Sequence, residues 1–545
     1  AAWSYGPARP AQAAWRRRAA CPRGALRQFP RGWQWLGPVG VAAAATARRR
    51  ASAGRRALAG RVALAAAANS RPRSQAAERW FSGRAGAALG HTPFDASLAE
   101  RGAVALAEAT TPTRQQEPWR YTDLDALLYG EPFVDPEAVA IVDPAELCAA
   151  AVGLLEEHEG LEGALRLVFV DSVLSADLSR LKSGNVESFV GGGEALRSQD
   201  PAVTARVHEL LRPLPEVDLC VAPAARDALG CAKLAALNQA SFKDCACVCL
   251  AAQDRPANDS EPLRVEVVFV TTGSAGAADS SPRLLIDVGK GRRLRITESH
   301  LSLNASDMSL SNGVCRVVIG EGAEVQHDFL QQKAGGARFV ESLTAEVADG
   351  ATYRLRLVQG GGRAARVNAA VLLSGQGSTT EVSSTMIAGH GQQLDLHSLI
   401  HHSVPSCRSK QQHKNIVAGD GECIFKGSIR VDREAQQTQS EQLCRSLLLS
   451  PKAQVKAMPS LQIKADDVSC SHGAAITELD ENQVFYMASR GLSGSEAKRL
   501  LLVAFPQDLL GGLEETAPKG YQRILEKLQS VASSTALVEE AVLAR

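Results

Sequence analysis

The sequence predicts a mainly β chain built around a β-solenoid, with helices on either side. Two observations lead to this. From about residue 262, short runs of alternating apolar residues follow one another, as in Arg264–Val270, Leu284–Val288 and Arg316–Ile319. Small-residue turns separate them: Gly289-Lys290-Gly291, Gly320–Ala323, Ala348–Ala351, Gly375–Ser378, Gly419-Asp420-Gly421 and Ser450–Ala453. The turns recur at about thirty residues, with one longer interval, as expected of stacked supersecondary units. Helical periodicity is weak across the same stretch. A β-sandwich of similar strand number is the alternative that strand texture leaves open.

The chain has 545 residues, 45% of them apolar and 22% charged, so more than one globular folding unit is expected. A net charge of +1 gives no argument for nucleic-acid binding. That balance conceals an asymmetry, because residues 1–77 hold no Asp or Glu and many Arg, including Arg16–Arg18 and Arg48–Arg50. This is the composition of an organellar transit peptide, or else of a basic tail with no address. Its apolar stretches are too short to span a membrane. The twelve Cys follow no regular framework and read as reduced, buried thiols. Cys245, Cys247 and Cys249 alternate in one run and are read as the packed face of a strand rather than as a metal site.

After the leader, Trp119-Arg120-Tyr121-Thr122-Asp123 supplies two large aromatic anchors, with Thr122 or Asp123 as the cap of a short helix through Leu127 and Leu128. Helical spacing marks Pro144–Glu157, Ala202–Leu211 and Ala225–Leu237. Past the solenoid, Ser493 with Glu496 forms a capping-box signature for a helix through Ala497–Phe505. Further helices are expected near Tyr521–Leu528 and through Leu537–Leu543. The boundaries are therefore a leader 1–77, a mainly helical domain 78–260, a β core 261–475 and a helical region 476–545.

Enzyme signatures are missing. No phosphate-cradling GxxxxGK[ST] occurs, so this chain is not expected to bind nucleotide, and there is no Gly-x-Ser-x-Gly elbow. The glycine runs Gly191–Gly193 and Gly360–Gly362 read as loops. A β-solenoid carbohydrate-active enzyme would need clustered carboxylates on its outer face. Asp466-Asp467 is the one tempting pair, and on a strand the two would point opposite ways. His390, His397, His401, His402 and His413 read as structural or surface groups, and the passage from His402 through Pro405, Cys407, Ser409 and Gln411 as rung packing. Gln436, Gln437, Gln439 and Gln442 suggest amide ladders between rungs.

Cys470 and His472 are two apart on an apolar run, so on a strand they face one point. A thiolate and an imidazole suit iron, but two ligands fall short of the four an iron–sulfur cluster usually takes. Downstream, Val484-Phe485-Tyr486-Met487-Ala488-Ser489-Arg490-Gly491 joins an aromatic anchor to Arg490 and Gly491. Together with Trp119-Arg120-Tyr121-Thr122, this ordered set resembles the SufB/SufD family of iron–sulfur cluster assembly scaffolds. Cys-Ser-His-Gly-Ala at Cys470–Ala474 is similar to the SufD branch, where the SufB branch shows His-Glu.

The resemblance implies a right-handed parallel β-helix core and no catalysis by this chain. It implies a transient iron–sulfur cluster or iron at an interface with SufB, with His472 and less directly Cys470 on the SufD side. The implied partners are a SufB homologue through the β-helix and the SufC ATPase through the C-terminal helices. No nucleic acid and no membrane span are expected, and the location implied is the plastid stroma after transit-peptide removal.

Overall fold

The computed structural model describes residues 80–81, 96–129, 164–181, 188–193, 201–211, 229–253, 261–273 and 279–543. The chain divides into two units, 1–56 and 57–545, and every described residue belongs to the second. The basic leader and the helix expected over Pro144–Glu157 lie outside the described residues.

Two sheets form a β-solenoid. One comprises β1 (Leu165–Val170), β2 (Val173–Leu174), β5 (Leu263–Thr271), β7 (Arg293–Ser302), β9 (Glu324–Gln332), β11 (Thr352–Gln359), β13 (Thr379–Ala388), β15 (Arg408–Val417), β17 (Thr438–Leu448) and β19 (Val468–Glu478). The other comprises β3 (Ser188–Gly191), β4 (Ala246–Leu250), β6 (Arg283–Val288), β8 (Leu310–Ile319), β10 (Arg338–Val347), β12 (Ala364–Leu373), β14 (Gln393–His402), β16 (Glu422–Val431) and β18 (Gln454–Ile463). From β5 onward, successive strands alternate between the sheets and each pairs in parallel with the strand two places away. Alternating inward residues meet between the walls and make one aliphatic core that includes Val267, Ile286, Leu343, Val367 and Leu396. One rung alone could not cover those side chains; its neighbours do.

The β architecture begins earlier than sequence texture suggested. β1 pairs with β5, and β4 with β6, inside the span assigned to N-terminal helices. Gly191 is the last residue of β3 rather than part of a loop. Cys245 and Cys247 are buried against Leu98, Val207 and Phe242, with Cys249 beside them, so this thiol run is packing. At the far end β19 extends to Glu478.

The longer interval between turns also has a physical explanation. One series of corners turns through Gly291, Gly322, Gly350 and Gly377, all at positive φ. Its next two corners are filled by Ser406 (φ 63°) and Gln437 (φ 59°), which hide the repeat from a search for glycine. Gly419-Asp420-Gly421 and Ser450–Ala453 belong to the opposite corner, leading into β16 and β18.

Helices cover the outer faces. On the nine-stranded sheet, Trp119, Leu124 and Leu127 pack with α1 (Ala96–Glu108), α2 (Pro201–Leu210) lies nearby, and α3 (Ala232–Ser241) covers Leu310 and Val340. At the other end the capping box of Ser493 and Glu496 forms and opens α5 (Gly494–Ala504), after α4 (Glu481–Ser489). The short α6 (Gln507–Leu510) and α7 (Leu513–Thr516) follow, then α8 (Pro518–Leu543). α8 is one continuous helix, not the two short ones expected. Its Ile524, Leu528 and Val531, at helical spacing, bury on Leu330, Val358, Ile387 and Ile416 of the ten-stranded sheet. The last rung, β18 and β19, is left as the open end of the solenoid.

Candidate functional site

Cys470 and His472 lie on β19, which pairs with β17 and has no second neighbour among the described residues. The register sets Cys470 over Ser440 and His472 over Gln442. Ser440, Gln442 and Cys444 are the buried, inward residues of β17, while Gln439, Glu441 and Leu443 are exposed. Parallel in-register stacking keeps side chains on one face, so Cys470 and His472 both follow the interior face of the solenoid. They do so at its uncovered end. The imidazole is exposed, and the thiol is half-buried against Ile429, Val431, Ala435 and Ala465. Burial holds that thiol above its ordinary pKa. An imidazole and a thiol therefore sit on the interior face of the end rung, with nothing among the described residues stacked beyond them.

The ladder beneath them is polar. Gln442 stacks on Gln411, whose amide oxygen accepts from Ser398 Oγ at 2.9 Å. Ser440 Oγ lies 2.6 Å from Ser409 Oγ, which lies 2.9 Å from His402 Nε2. His413 contacts Ser384 Oγ at 2.7 Å, and burial holds its pKa at about 3, so the ring is neutral. Gly427 makes room for the Gln442 amide, since a Cβ there would overlap it. Of the glutamine group, Gln442 is an interior rung residue, whereas Gln436 and Gln437 serve the corner: the Gln436 carboxamide accepts from Asp467 N, and Gln437 Oε1 from Ser406 Oγ.

The N-terminal motif is laid across the outer face of the nine-stranded sheet. Trp119 is buried, donates Nε1–H to Gly230 O at 3.1 Å, and carries the Arg366 guanidinium 3.8 Å above its ring. Thr122 donates to Asp395 at 2.7 Å, and the Asp123 carboxylate caps the short helical turn at Asp125 and Ala126. Glu117 pairs with Lys426 at 2.7 Å, and Lys456 sits over the Tyr121 ring at 5.2 Å. These four anchors come from β12, β14, β16 and β18 in turn, so the motif clamps the rungs up to the edge strand. Sequence reasoning gave it no such role. Arg120 itself is exposed.

The second motif is not an anchor within this chain. Phe485 is 76% exposed and Tyr486 60% exposed on α4. Arg490 lies over the Tyr486 ring at 5.3 Å, and Gly491 (φ 96°) ends the helix. His390 pairs with Asp420 at the surface and His397 with Asp395 and Arg366 in the interior, both structural positions. Among the described residues no helix is long and apolar enough to cross a membrane. Side chains that converge as metal ligands occur instead far from the open end, around Glu298. The sequence reading did not single these out.

The described residues define a class, the parallel β-solenoid, here with an open polar rung. Comparison with known proteins agrees: residues 269–505 match the family described as SUF system FeS cluster assembly, SufBD core domain. Residues 269–505 thus carry the SufBD core domain of the SufB/SufD family, and the chain is similar to SufD proteins within it. It is 38% identical to the protein ABCI7, chloroplastic, of Arabidopsis thaliana over 42% of this chain and 49% of that protein. It is 32% identical to an iron–sulfur cluster assembly SufBD family protein of Synechocystis over 53% of this chain and 64% of the relative. With the iron–sulfur cluster assembly protein SufD of Escherichia coli it shares 27% over 76% of this chain and 88% of that protein. The chain thus spans about half to two thirds of the length of the first two relatives.

Proposed function

We propose that this chain is the non-catalytic SufD-type subunit of a scaffold that builds iron–sulfur clusters, pairing with a SufB homologue through β18 and β19. The observation that carries this is the open last rung. Two ten- to eleven-residue strands present free edges among the described residues, and long free edges invite pairing with another chain. Gln454 N and Lys464 N both donate to β16, so even-numbered amides of β18 face inward and odd-numbered ones face the free edge. Pro459, which has no N–H, stands at an odd position, where it costs no intrachain bond.

The cluster is cargo. His472 is its ligand or positioning base on this side, with Cys470 beside it, and the missing ligands come from the partner. A site completed only across a joint releases its product when the joint opens. The exposed Phe485 and Tyr486 of α4 support docking of the SufC ATPase there, whereas α8 is committed to its own sheet. The acid-free leader and the chloroplastic relative support a plastid stromal location after transit-peptide removal. A carbohydrate-active solenoid is less well supported, because the converging carboxylates Glu298 and Glu341 are sealed inside, out of reach of a polysaccharide.

His472→Ala, at an exposed position, should leave folding within about 0.5 kcal/mol and leave co-purification with SufB and SufC homologues intact. Its cluster yield on reconstitution should drop. Full yield from that variant removes the histidine from the mechanism, and failure of the native chain to co-purify with either homologue removes the scaffold reading.

A further inference from the structure

Midway along the solenoid, ligand-type side chains replace the aliphatic core. Glu298 enters from β7, Cys315 from β8, His327 from β9 and Glu341 from β10, and none is more than 1% exposed. Glu298 and His327 reach in from one sheet, Cys315 and Glu341 from the other. One ligand atom from each of Glu298, Cys315 and His327 lies within 4.8 Å of the others, and the same holds for Glu298, His300 and Glu341. Glu298 contacts His300 Nε2 at 2.8 Å and His327 Nε2 at 3.0 Å, and His327 Nδ1 lies 3.1 Å from Tyr353 Oη.

Hydrogen bonding satisfies Glu298 and His327 but leaves one oxygen of this cluster without a partner. Glu341 Oε1 is fully buried and has no partner, and Oε2 is 4.0 Å from His300 Nε2. The carboxyl occupies space that Gly313 leaves open, since a Cβ there would collide with it. Two carboxyls in an apolar interior cost several kcal/mol each unless something compensates them.

We propose that this cluster is a structural site for one zinc-class divalent cation, held by Glu298, Cys315 and His327, with Glu341 converging on Glu298 from the opposite wall. Mixed nitrogen, sulfur and oxygen donors in a closed tetrahedral set are what zinc, cobalt(II) or iron(II) accept. A tetrahedral ion sets its ligand atoms about 3.5 Å from one another, between the 3.0 Å of Glu298 to His327 and the 4.8 Å limit that contains the three. Charge balances: one carboxylate and one thiolate offset the dication. The Cys315 thiol loses its proton to solvent when the ion binds. His327 then presents Nε2 to the ion while Nδ1–H donates to Tyr353, which fixes the tautomer.

The ion would brace three consecutive strands, β7, β8 and β9, across both walls. β7 stands six ladder steps from β19 at ~4.8 Å each, so this centre is about 29 Å from His472 and distinct from the cargo site.

The test is elemental analysis of the full chain produced with zinc in the medium and dialysed against a chelator. About one equivalent should remain, because the interior is closed, and it should be released on unfolding. Protein folded with cobalt(II) should show a thiolate-to-cobalt charge-transfer absorption that Cys315→Ser abolishes. Cys444→Ser and His472→Ala should retain both ion and absorption. Metal-free protein after folding in zinc and in cobalt, with an unchanged unfolding midpoint, overturns the proposal. So does equal retention by Cys315→Ser and His327→Gln. Should those variants not fold, the cobalt spectrum of the native chain decides alone, and absence of the charge-transfer band overturns it.

Discussion

Replacing Arg366 with Met should release the N-terminal motif from the solenoid while leaving the β core intact. The Arg366 side chain is fully buried and pairs with Asp395 at 3.2 Å. It donates to Pro118 O and Leu229 O at 2.7 Å, to Thr122 Oγ1 at 2.9 Å and to Asn368 Oδ1 at 3.0 Å, and it covers the Trp119 ring. Methionine keeps much of the stem volume but leaves the Asp395 carboxylate buried without its cation. Removing one member of such a pair costs about 3–5 kcal/mol. That loss falls on docking of residues 117–129, because Arg366 is the hub between this segment, β12 and β14. Amide hydrogen exchange over the segment should therefore accelerate about 10²–10⁴-fold, with far-ultraviolet dichroism unchanged. Adding Asp395→Asn removes the orphaned charge and should recover about 1–3 kcal/mol relative to Arg366→Met alone. Unchanged exchange in the single variant, or strict additivity in the double, would refute the pairing argument.

Three further outcomes follow from the same geometry. Burial holds the imidazoles of His413 at about 3 and of His397 and His402 at about 4, below their unfolded value. The unfolded chain thus binds more protons below pH ~6.5, so each residue should remove about 1–2 kcal/mol between pH 6.5 and 5. A denaturation midpoint at pH 5.5 no lower than at pH 7.5 would contradict this. Gly427→Ala should cost about 1–3 kcal/mol by overpacking against Gln442 and Phe425, and should lower cluster yield by displacing the amide beneath His472. A melting temperature and yield both equal to the native values would exclude that coupling. Phe485→Ala with Tyr486→Ala should abolish pull-down of a SufC homologue but not of SufB, with no loss of melting temperature, since neither ring is buried in this chain.

The solenoid was legible because its repeat is written in small residues at corners, and illegible where other residues do the same job. Ser406 and Gln437 adopt the left-handed conformation without being glycine, so the series broke at β15. Among the early strands β4 was readable from its alternating cysteines, whereas β1 escaped because it is joined to β5 only through a long intervening stretch, and such a pairing leaves no local period to read. The outer aliphatic face of Leu330, Val358, Ile387, Ile416 and Leu447 was overlooked for a different reason: it marks where α8 lies, not where a strand begins.

The site divides along the same line. Cys470 and His472 share a face by a rule that needs only two positions, so their common direction was readable from the sequence. Their placement at an open end was not, because an edge is defined by the strand that is missing beyond it. For the interior cluster the signal existed but at the wrong scale. Glu298 and His327 are separated by nearly one rung, and Cys315 and Glu341 by slightly less. Their ligand atoms meet only because two walls at this spacing face each other. Searching a solenoid sequence for ligand types one rung apart, rather than two or four residues apart, is the periodicity that would have found them, just as i and i+4 is for a helix.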